Sequence, residues 1–196
     1  MPSARVLLLD VMGTLVHDPF YEEIPRFFGM TLPELIAVKH PRAWVDFEHG
    51  HIDEATMLAR FFADGRAVDG PGLKRTMEQA YRFLPGIEAL LGELAERGVA
   101  MHALSNYPSW YALIERRLSL SRFVEWSFVS CDTGLRKPDP AVYRHAAAQL
   151  GVAPCDCVFV DDRSDNCEAA RGVGMHALVF DGAPSLREGL TERGLV

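Results

Sequence analysis

Short apolar runs alternate along this chain with segments whose apolar residues recur at helical spacing. The runs lie at residues 5–10, 99–104, 126–130, 157–160 and 175–180. Short apolar runs without strict alternation are typical of parallel strands that are covered on both faces. The pattern therefore predicts the buried strands of a mostly parallel sheet.

Helical patterns separate these runs. The predicted helices lie within residues 85–98, 139–151, 164–172 and 185–192. Their ends carry Pro, Gly and Asp, which commonly begin or stop helices, and Ser185 with Glu188 has the spacing of a capping box. Strands that alternate with helices predict an α/β fold with a doubly wound, Rossmann-like sheet.

The connection between the first two predicted strands is far longer than the roughly dozen residues that a crossover needs. Within it, Thr31 begins a Thr-x-x-Glu capping box, and Asp53 precedes apolar residues at helix-face spacing. We therefore predict a small inserted helical cap and a core made of two pieces. The cap covers residues 17–82, and the core covers residues 1–16 and 83–196.

Composition narrows the class of protein. The 196 residues carry a formal net charge of −7, which disfavours nucleic acid and anionic membranes as partners. No apolar run approaches the roughly 18 residues of a membrane span. The first residues show no signal or transit pattern, so we expect a cytoplasmic monomer or homodimer, or a plastid stroma protein if a transit peptide precedes this sequence. No Cys-x-x-Cys pair occurs among the four cysteines, which predicts free thiols.

Polar residues stand at or near the carboxyl ends of several predicted strands. In open parallel sheets ligands bind at that edge, where residues far apart in the sequence meet. Each feature alone is typical of a turn or a helix cap, but together and in this order they predict one site. The residues are Asp10, Gly13, Thr14, Ser105, Asn106, Lys137, Asp161 and Asp162.

This order resembles the haloacid dehalogenase-like hydrolase superfamily, whose pattern runs Asp-x-Asp-x-Thr, Ser or Thr, Lys, then paired acids. The resemblance spans essentially the whole chain, and the place of the cap is similar to that of the small phosphatases and dehalogenases. Further runs resemble the plant chloroplast flavin mononucleotide (FMN) hydrolases. These are Asp-Pro-Phe-Tyr at 18–21, Phe-Phe-Gly-Met at 27–30, Lys-His-Pro at 39–41 and Ser-Asn-Tyr-Pro at 105–108.

The resemblance implies a phosphomonoester hydrolase that uses Mg²⁺ and acts on a small phosphorylated metabolite such as FMN. Asp10 would attack phosphorus and form an aspartyl-phosphate. Mg²⁺ would be held by Asp10, Asp162 and the backbone carbonyl of Met12, with Asp161 bound to it directly or through a neighbour. Asn166 would orient these metal ligands.

The resemblance also implies the remaining roles. Lys137 would offset the charge of the phosphate and of the nucleophile, and Ser105 would donate to a phosphate oxygen. The backbone near Gly13 and the side chain of Asn106 would bind substrate. Thr14 would brace the loop that carries the nucleophile.

Met12 departs from the superfamily pattern, because it stands where most phosphatases carry a second Asp that transfers protons. A thioether cannot do this, and loss of such a group typically costs about 10²–10⁴-fold in rate. His17 and Asp18, at the start of the cap, are the candidates for a substitute, with plain linker residues as the alternative.

The first part of the predicted cap is rich in aromatic side chains. A flavin ring could stack on them, or they could form the core of the cap. They are Phe20, Tyr21, Phe27, Phe28, Trp44 and Phe47.

Other activities stay open from the residues. A metal-free haloacid dehalogenase would share the Lys-Pro-Asp-Pro-x-x-Tyr run at 137–143, but would not need the acid pair at 161–162. A phosphonate-cleaving enzyme would need Lys39 or Lys74 as a Schiff-base amine, and neither has an evidently apolar setting. A weakened hydrolase that only binds a phosphorylated ligand would be compatible with Met12.

Overall fold

A five-stranded parallel sheet forms the centre of the protein, as a computed structural model that describes residues 6–196 shows. The strands are β1 (Val6–Leu9), β2 (Met101–Ser105), β3 (Glu125–Val129), β4 (Cys157–Asp161) and β5 (His176–Val179), and their order is β3-β2-β1-β4-β5. All neighbouring strands pair in parallel. The predicted doubly wound α/β fold is confirmed, and Arg5 of the first predicted strand lies outside the described residues.

Helices fill the connections. Between β1 and β2 lie α1 (Glu23–Phe27), α2 (Leu32–Val38), α3 (Ala43–Glu48), α4 (Glu54–Ala59), α5 (Gly70–Ala80) and α6 (Ile87–Glu96). The later helices are α7 (Tyr111–Leu118), α8 (Ser130–Thr133), α9 (Pro140–Leu150), α10 (Ser164–Gly172) and α11 (Ala183–Thr191). No helix in the described part of the chain is long and apolar enough to cross a bilayer.

Alternation along the strands divides the core between the two faces of the sheet. Leu7 and Leu9 of β1 pack in a cluster with side chains of α6, α7 and α11, whereas Leu8 packs with side chains of α9 and α10. Successive strand residues point to opposite faces, and here both faces are covered. This explains why the strands read as continuous apolar runs.

Helix caps predicted from the sequence are mostly found. Thr31 and Glu34 form the reciprocal bonds of a capping box, and Asp53 and Asp139 accept from backbone N–H groups at the starts of α4 and α9. The prediction of a capping box at Ser185 was wrong. Helix α11 begins two residues earlier, after Gly182 and with Pro184 in its first turn, because the restricted φ of proline suits that position.

The segment with α1 to α5 joins the sheet through two adjacent connections. Val16 bridges Phe83 in an antiparallel manner, and the His17 N–H donates to the Arg82 carbonyl over 2.9 Å. These contacts support the division into a cap of residues 17–82 and a two-piece core, which stays our proposal. The four cysteines are free thiols.

Candidate active site

A polar cavity of about 170 Å³ opens at the carboxyl ends of β1, β2 and β4. Its walls bring together residues from the sheet, the loop before α9 and the start of the helical segment. They are Asp10, Met12, Asp18, Tyr21, Asn106, Arg136, Lys137, Pro138, Asp162, Arg163 and Asn166. Of the polar residues singled out in the sequence, Asp10, Asn106, Lys137 and Asp162 line this cavity together.

Lys137 is buried and lies between two carboxylates. Its Nζ donates to Asp10 Oδ1 and to Asp161 Oδ2, each over 2.6 Å. Burial alone would lower the pKa of Lys137, but the two carboxylates more than compensate and raise the pKa above its usual value. The cation therefore stays charged beside Asp10.

Asp161 is fully buried, and both of its carboxylate oxygens are engaged. Besides Lys137, it accepts from Asn166 Nδ2 at 2.9 and 3.0 Å and from the Arg163 N–H at 2.9 Å. A carboxylate with this many donors is held in one orientation. This geometry favours Asp161 as the residue that positions Lys137, with Asn166 bracing it.

Asp10 accepts a long hydrogen bond of 3.3 Å from Thr14 Oγ1, and Thr14 in turn accepts from the Asp162 N–H over 3.1 Å. Burial raises the pKa of Asp10 to about 7, and the charges of Asp161 and Asp162 add to that effect while Lys137 opposes it. An ionised Asp10 is thus costly with the protein's own charges alone. Additional positive charge in the cavity would favour the nucleophilic form.

The described residues contain one acidic cluster that could hold a metal ion. Oxygen atoms of Asp10, Asp161 and Asp162 lie within 4.8 Å of one another. Asp162 is exposed, while Asp161 is occupied by the donors described above. The donor set consists of oxygen atoms, as Mg²⁺ prefers, and Asp10 with Asp162 are the members best placed to reach an ion.

Ser105 and Asn106 follow β2 and differ in their surroundings. Ser105 Oγ is buried and has no hydrogen-bond partner among residues 6–196, and Ser105 is not among the residues that line the polar cavity. Asn106 is committed, because its Nδ2 donates to the Lys137 carbonyl over 2.9 Å and its Oδ1 accepts from the Lys137 N–H over 2.8 Å. These bonds support a role of Asn106 in positioning Lys137, and its contact with substrate stays a prediction.

A second, more apolar cavity of about 220 Å³ extends into the helical segment. It is lined by Met12, Asp18, Phe20, Ile24, Lys39, Trp44, Val45, Glu48, Phe61, Met77, Asn106 and Tyr107. Of the aromatic residues singled out in the sequence, Phe20 and Trp44 reach it. Phe47 is buried in the hydrophobic core, Phe27 and Phe28 pack against that core, and Tyr21 lines the polar cavity.

Two charged residues beside the cavities were missed in the sequence. Glu48 of α3 accepts from Arg136 Nε over 2.9 Å and from Trp44 Nε1 over 2.7 Å. Ser130 Oγ donates to the Glu48 carbonyl over 2.5 Å. The ion pair of Glu48 and Arg136 joins the helical segment to the loop that carries Lys137. No local sequence pattern predicts this pair, because its two residues come from distant parts of the chain.

Comparisons with known proteins identify the family to which the chain belongs. The family model of the haloacid dehalogenase-like hydrolases matches residues 4–174, and the chain belongs to that family of hydrolases. It is 47% identical over 190 residues to flavin mononucleotide hydrolase 1 of the Arabidopsis thaliana chloroplast, covering 97% of this chain and 78% of the relative. A phosphatase of Mycobacterium tuberculosis is 32% identical, with 86% and 82% covered.

Solved structures share the fold. A haloacid dehalogenase family enzyme of Bacteroides thetaiotaomicron, in complex with magnesium and inorganic phosphate, superposes with a TM-score of 0.68 at 18% identity, covering 89% of this chain and 92% of the other. A predicted hydrolase of the same family from Porphyromonas gingivalis gives a TM-score of 0.74 at 20% identity, with 96% and 98% covered. At these identities the likeness concerns the fold.

Proposed function

We propose that this protein is a Mg²⁺-dependent phosphomonoester hydrolase that acts through an aspartyl-phosphate, with FMN as its first candidate substrate. The observation that carries the proposal is the buried Lys137 cation, held against Asp10 at the wall of a cavity that also exposes Asp162. This arrangement pairs a nucleophile with the positive charge that attack on a phosphate dianion requires.

Metal binding fits the residues present. Asp10 and Asp162, with the Met12 carbonyl, would hold Mg²⁺. Asp161 would act through Lys137 and Asn166, the two side chains that it holds in place. When bound, the ion would supply further positive charge against the repulsion between carboxylate and phosphate. The magnesium and phosphate bound by the Bacteroides enzyme support this choice.

The remaining roles follow from the contacts. Asp10 would attack phosphorus while Thr14 limits the rotation of its carboxylate. Lys137 would pair with a phosphate oxygen without leaving its place, because Asp161 and the Asn106 amide hold it. The unpartnered Ser105 hydroxyl and the backbone near Gly13 would donate to the other oxygens.

The substrate is inferred from the two neighbouring cavities, which share three lining residues, and from the Arabidopsis relative. A phosphate in the polar cavity would leave the organic part of the substrate in the apolar one, beside Phe20 and Trp44. A flavin ring suits aromatic walls. The relative is an FMN hydrolase of the chloroplast, which supports both the substrate and the plastid as an alternative to the cytoplasm.

The test is phosphate release from FMN by the purified protein, with Mg²⁺ or with a chelator. We expect Mg²⁺-dependent release of phosphate, which Asp10→Asn abolishes. With FMN labelled in its phosphate, the wild type alone should form a labelled aspartyl-phosphate. Equal background in both proteins would refute hydrolysis. FMN binding without turnover would identify a binding protein, and metal-free dechlorination of 2-chloropropionate would identify a dehalogenase.

A further inference from the structure

The two cavities meet at Met12, Asp18 and Asn106, the residues that line both of them. If the phosphate occupies the polar cavity and the organic group the apolar one, the ester oxygen between them lies at this junction. That oxygen leaves as an alkoxide and needs a proton. The residue that supplies it should therefore be one of these three.

Two of the three cannot serve. Met12 carries a thioether, which has no proton to give. The Asn106 amide is engaged on both sides by the backbone of Lys137. Asp18 alone among them carries an acidic proton.

The surroundings of Asp18 suit a proton donor. One carboxylate oxygen accepts from the Phe20 N–H over 2.9 Å, which fixes the side chain. Burial raises the pKa of Asp18 above its ordinary value, although the Phe20 N–H and the nearby His17 act in the opposite direction. The shift is toward the protonated form, which a proton donor needs.

His17, the other candidate, is placed differently. Its Nε2 lies 3.0 and 3.1 Å from the two carboxylate oxygens of Glu23. Among the residues that the structure describes, those lining the two cavities do not include His17. The ring is thus paired within the helical segment.

We propose that Asp18 is the general acid and base of the reaction, in the place left open by Met12. This rests on the proposed phosphomonoesterase function. As Asp10 forms its bond to phosphorus, the bond between phosphorus and the ester oxygen breaks, and that oxygen takes the proton of Asp18. Water then attacks the aspartyl-phosphate and gives a proton back to Asp18, while the bond from phosphorus to Asp10 breaks and phosphate is freed.

The test compares two leaving groups in single turnovers of Asp18→Asn. The flavin alcohol of FMN needs a proton as it leaves, whereas the nitrophenolate of 4-nitrophenyl phosphate leaves as a stable anion. We expect the first-turnover rate to fall about 10²–10⁴-fold for FMN and less than about tenfold for 4-nitrophenyl phosphate. Because the second step lacks its base, a burst of nitrophenolate should leave the aspartyl-phosphate accumulated on Asp10.

Asparagine has the shape of aspartate and retains an acceptor for the Phe20 N–H, and circular dichroism verifies the fold. Asp18→Glu should recover part of the FMN rate because it restores a proton. His17→Gln, the matched control, should keep both rates within about threefold. Equal losses with both esters, or no loss with either, would overturn the role of Asp18.

Failure of the proposed function has a different signature. If the wild type does not hydrolyse FMN but hydrolyses another alkyl phosphate, the choice of FMN is wrong. Asp18→Asn is then compared with wild type on that ester and on 4-nitrophenyl phosphate. A wild type that hydrolyses no phosphomonoester overturns both proposals.

Discussion

Gly13 and Asp162 approach each other so closely that a β-carbon on Gly13 would lie 2.8 Å from Asp162 Oδ2. Gly13 also has a φ of +78°, which side chains rarely adopt. Gly13→Ala should therefore displace the Asp162 carboxylate and raise the Mg²⁺ concentration needed for half-maximal activity about tenfold or more. Titration of activity with Mg²⁺ measures this.

Gly29→Ala is the matched control. Gly29 has a similar φ of +65°, but nothing lies within 4 Å of the position of an added β-carbon. Both variants should lose about 1–2 kcal/mol of unfolding free energy through backbone strain, and only Gly13→Ala should change the Mg²⁺ requirement. A similar Mg²⁺ shift in both would contradict the link to Asp162.

Lys137→Met removes the cation that two carboxylates share. The buried Asp10 and Asp161 would then lack their common partner, and breaking such a pair typically costs about 3–5 kcal/mol of stability. Hydrolysis should fall about 10²–10³-fold or more through lost charge stabilisation. Urea unfolding and steady-state turnover measure the two effects.

Lys74→Met provides the comparison, since Lys74 and Glu54 form a partly exposed pair at 2.7 Å. Exposed pairs contribute at most about 1 kcal/mol, and turnover should stay close to wild type. A loss at Lys74 as large as that at Lys137 would show that burial is not the cause.

Asp10 should make the metal-free protein sensitive to pH. Its folded-state pKa of about 7 is above the ordinary value of 3.8. Its stabilising contribution is complete below about pH 4 and is lost as the pH rises through 7. Relative to wild type, Asp10→Asn should therefore gain about 3 kcal/mol in stability between pH 5 and pH 8, since about two pH units lie between pH 5 and the raised pKa and each corresponds to about 1.4 kcal/mol.

Urea unfolding in a chelator at both pH values measures this gain. Mg²⁺ should stabilise the wild type more than Asp10→Asn at pH 8, because an ion binds the ionised carboxylate. A difference between the two proteins that is the same at pH 5 and pH 8 would contradict the raised pKa.

Glu48→Gln tests the contact between the helical segment and the Lys137 loop. Glutamine can still accept from Trp44 but leaves Arg136 without its opposite charge. We expect KM for FMN to rise about threefold to tenfold, because Arg136 lines the polar cavity, and stability to fall by about 1–3 kcal/mol.

Glu78→Gln, in the more exposed pair with Arg116, should change KM little and stability by less than about 1 kcal/mol. If Glu48→Gln leaves KM unchanged, the ion pair does not shape the site.

Local features of the fold were predictable because they depend on neighbours in the chain. The apolar runs of the strands and the caps at Thr31, Asp53 and Asp139 express preferences that act over a few residues. Spacing alone failed at Ser185, where Pro184 places the helix start earlier. The order of Asp10, Lys137 and the acid pair was also readable, because parallel strands bring their carboxyl ends to one edge.

Contacts between distant segments were decided only in the tertiary structure. The sequence marks Asn106 as polar, but folding turns its amide onto the backbone of Lys137. It suggests both His17 and Asp18 as proton donors, and packing pairs His17 with Glu23 while Asp18 faces both cavities. The sequence by itself thus determined which chemical groups meet at the edge of the sheet. The tertiary structure decided which of them are committed to each other and which remain free for a ligand, because side-chain direction and burial depend on packing across the whole chain.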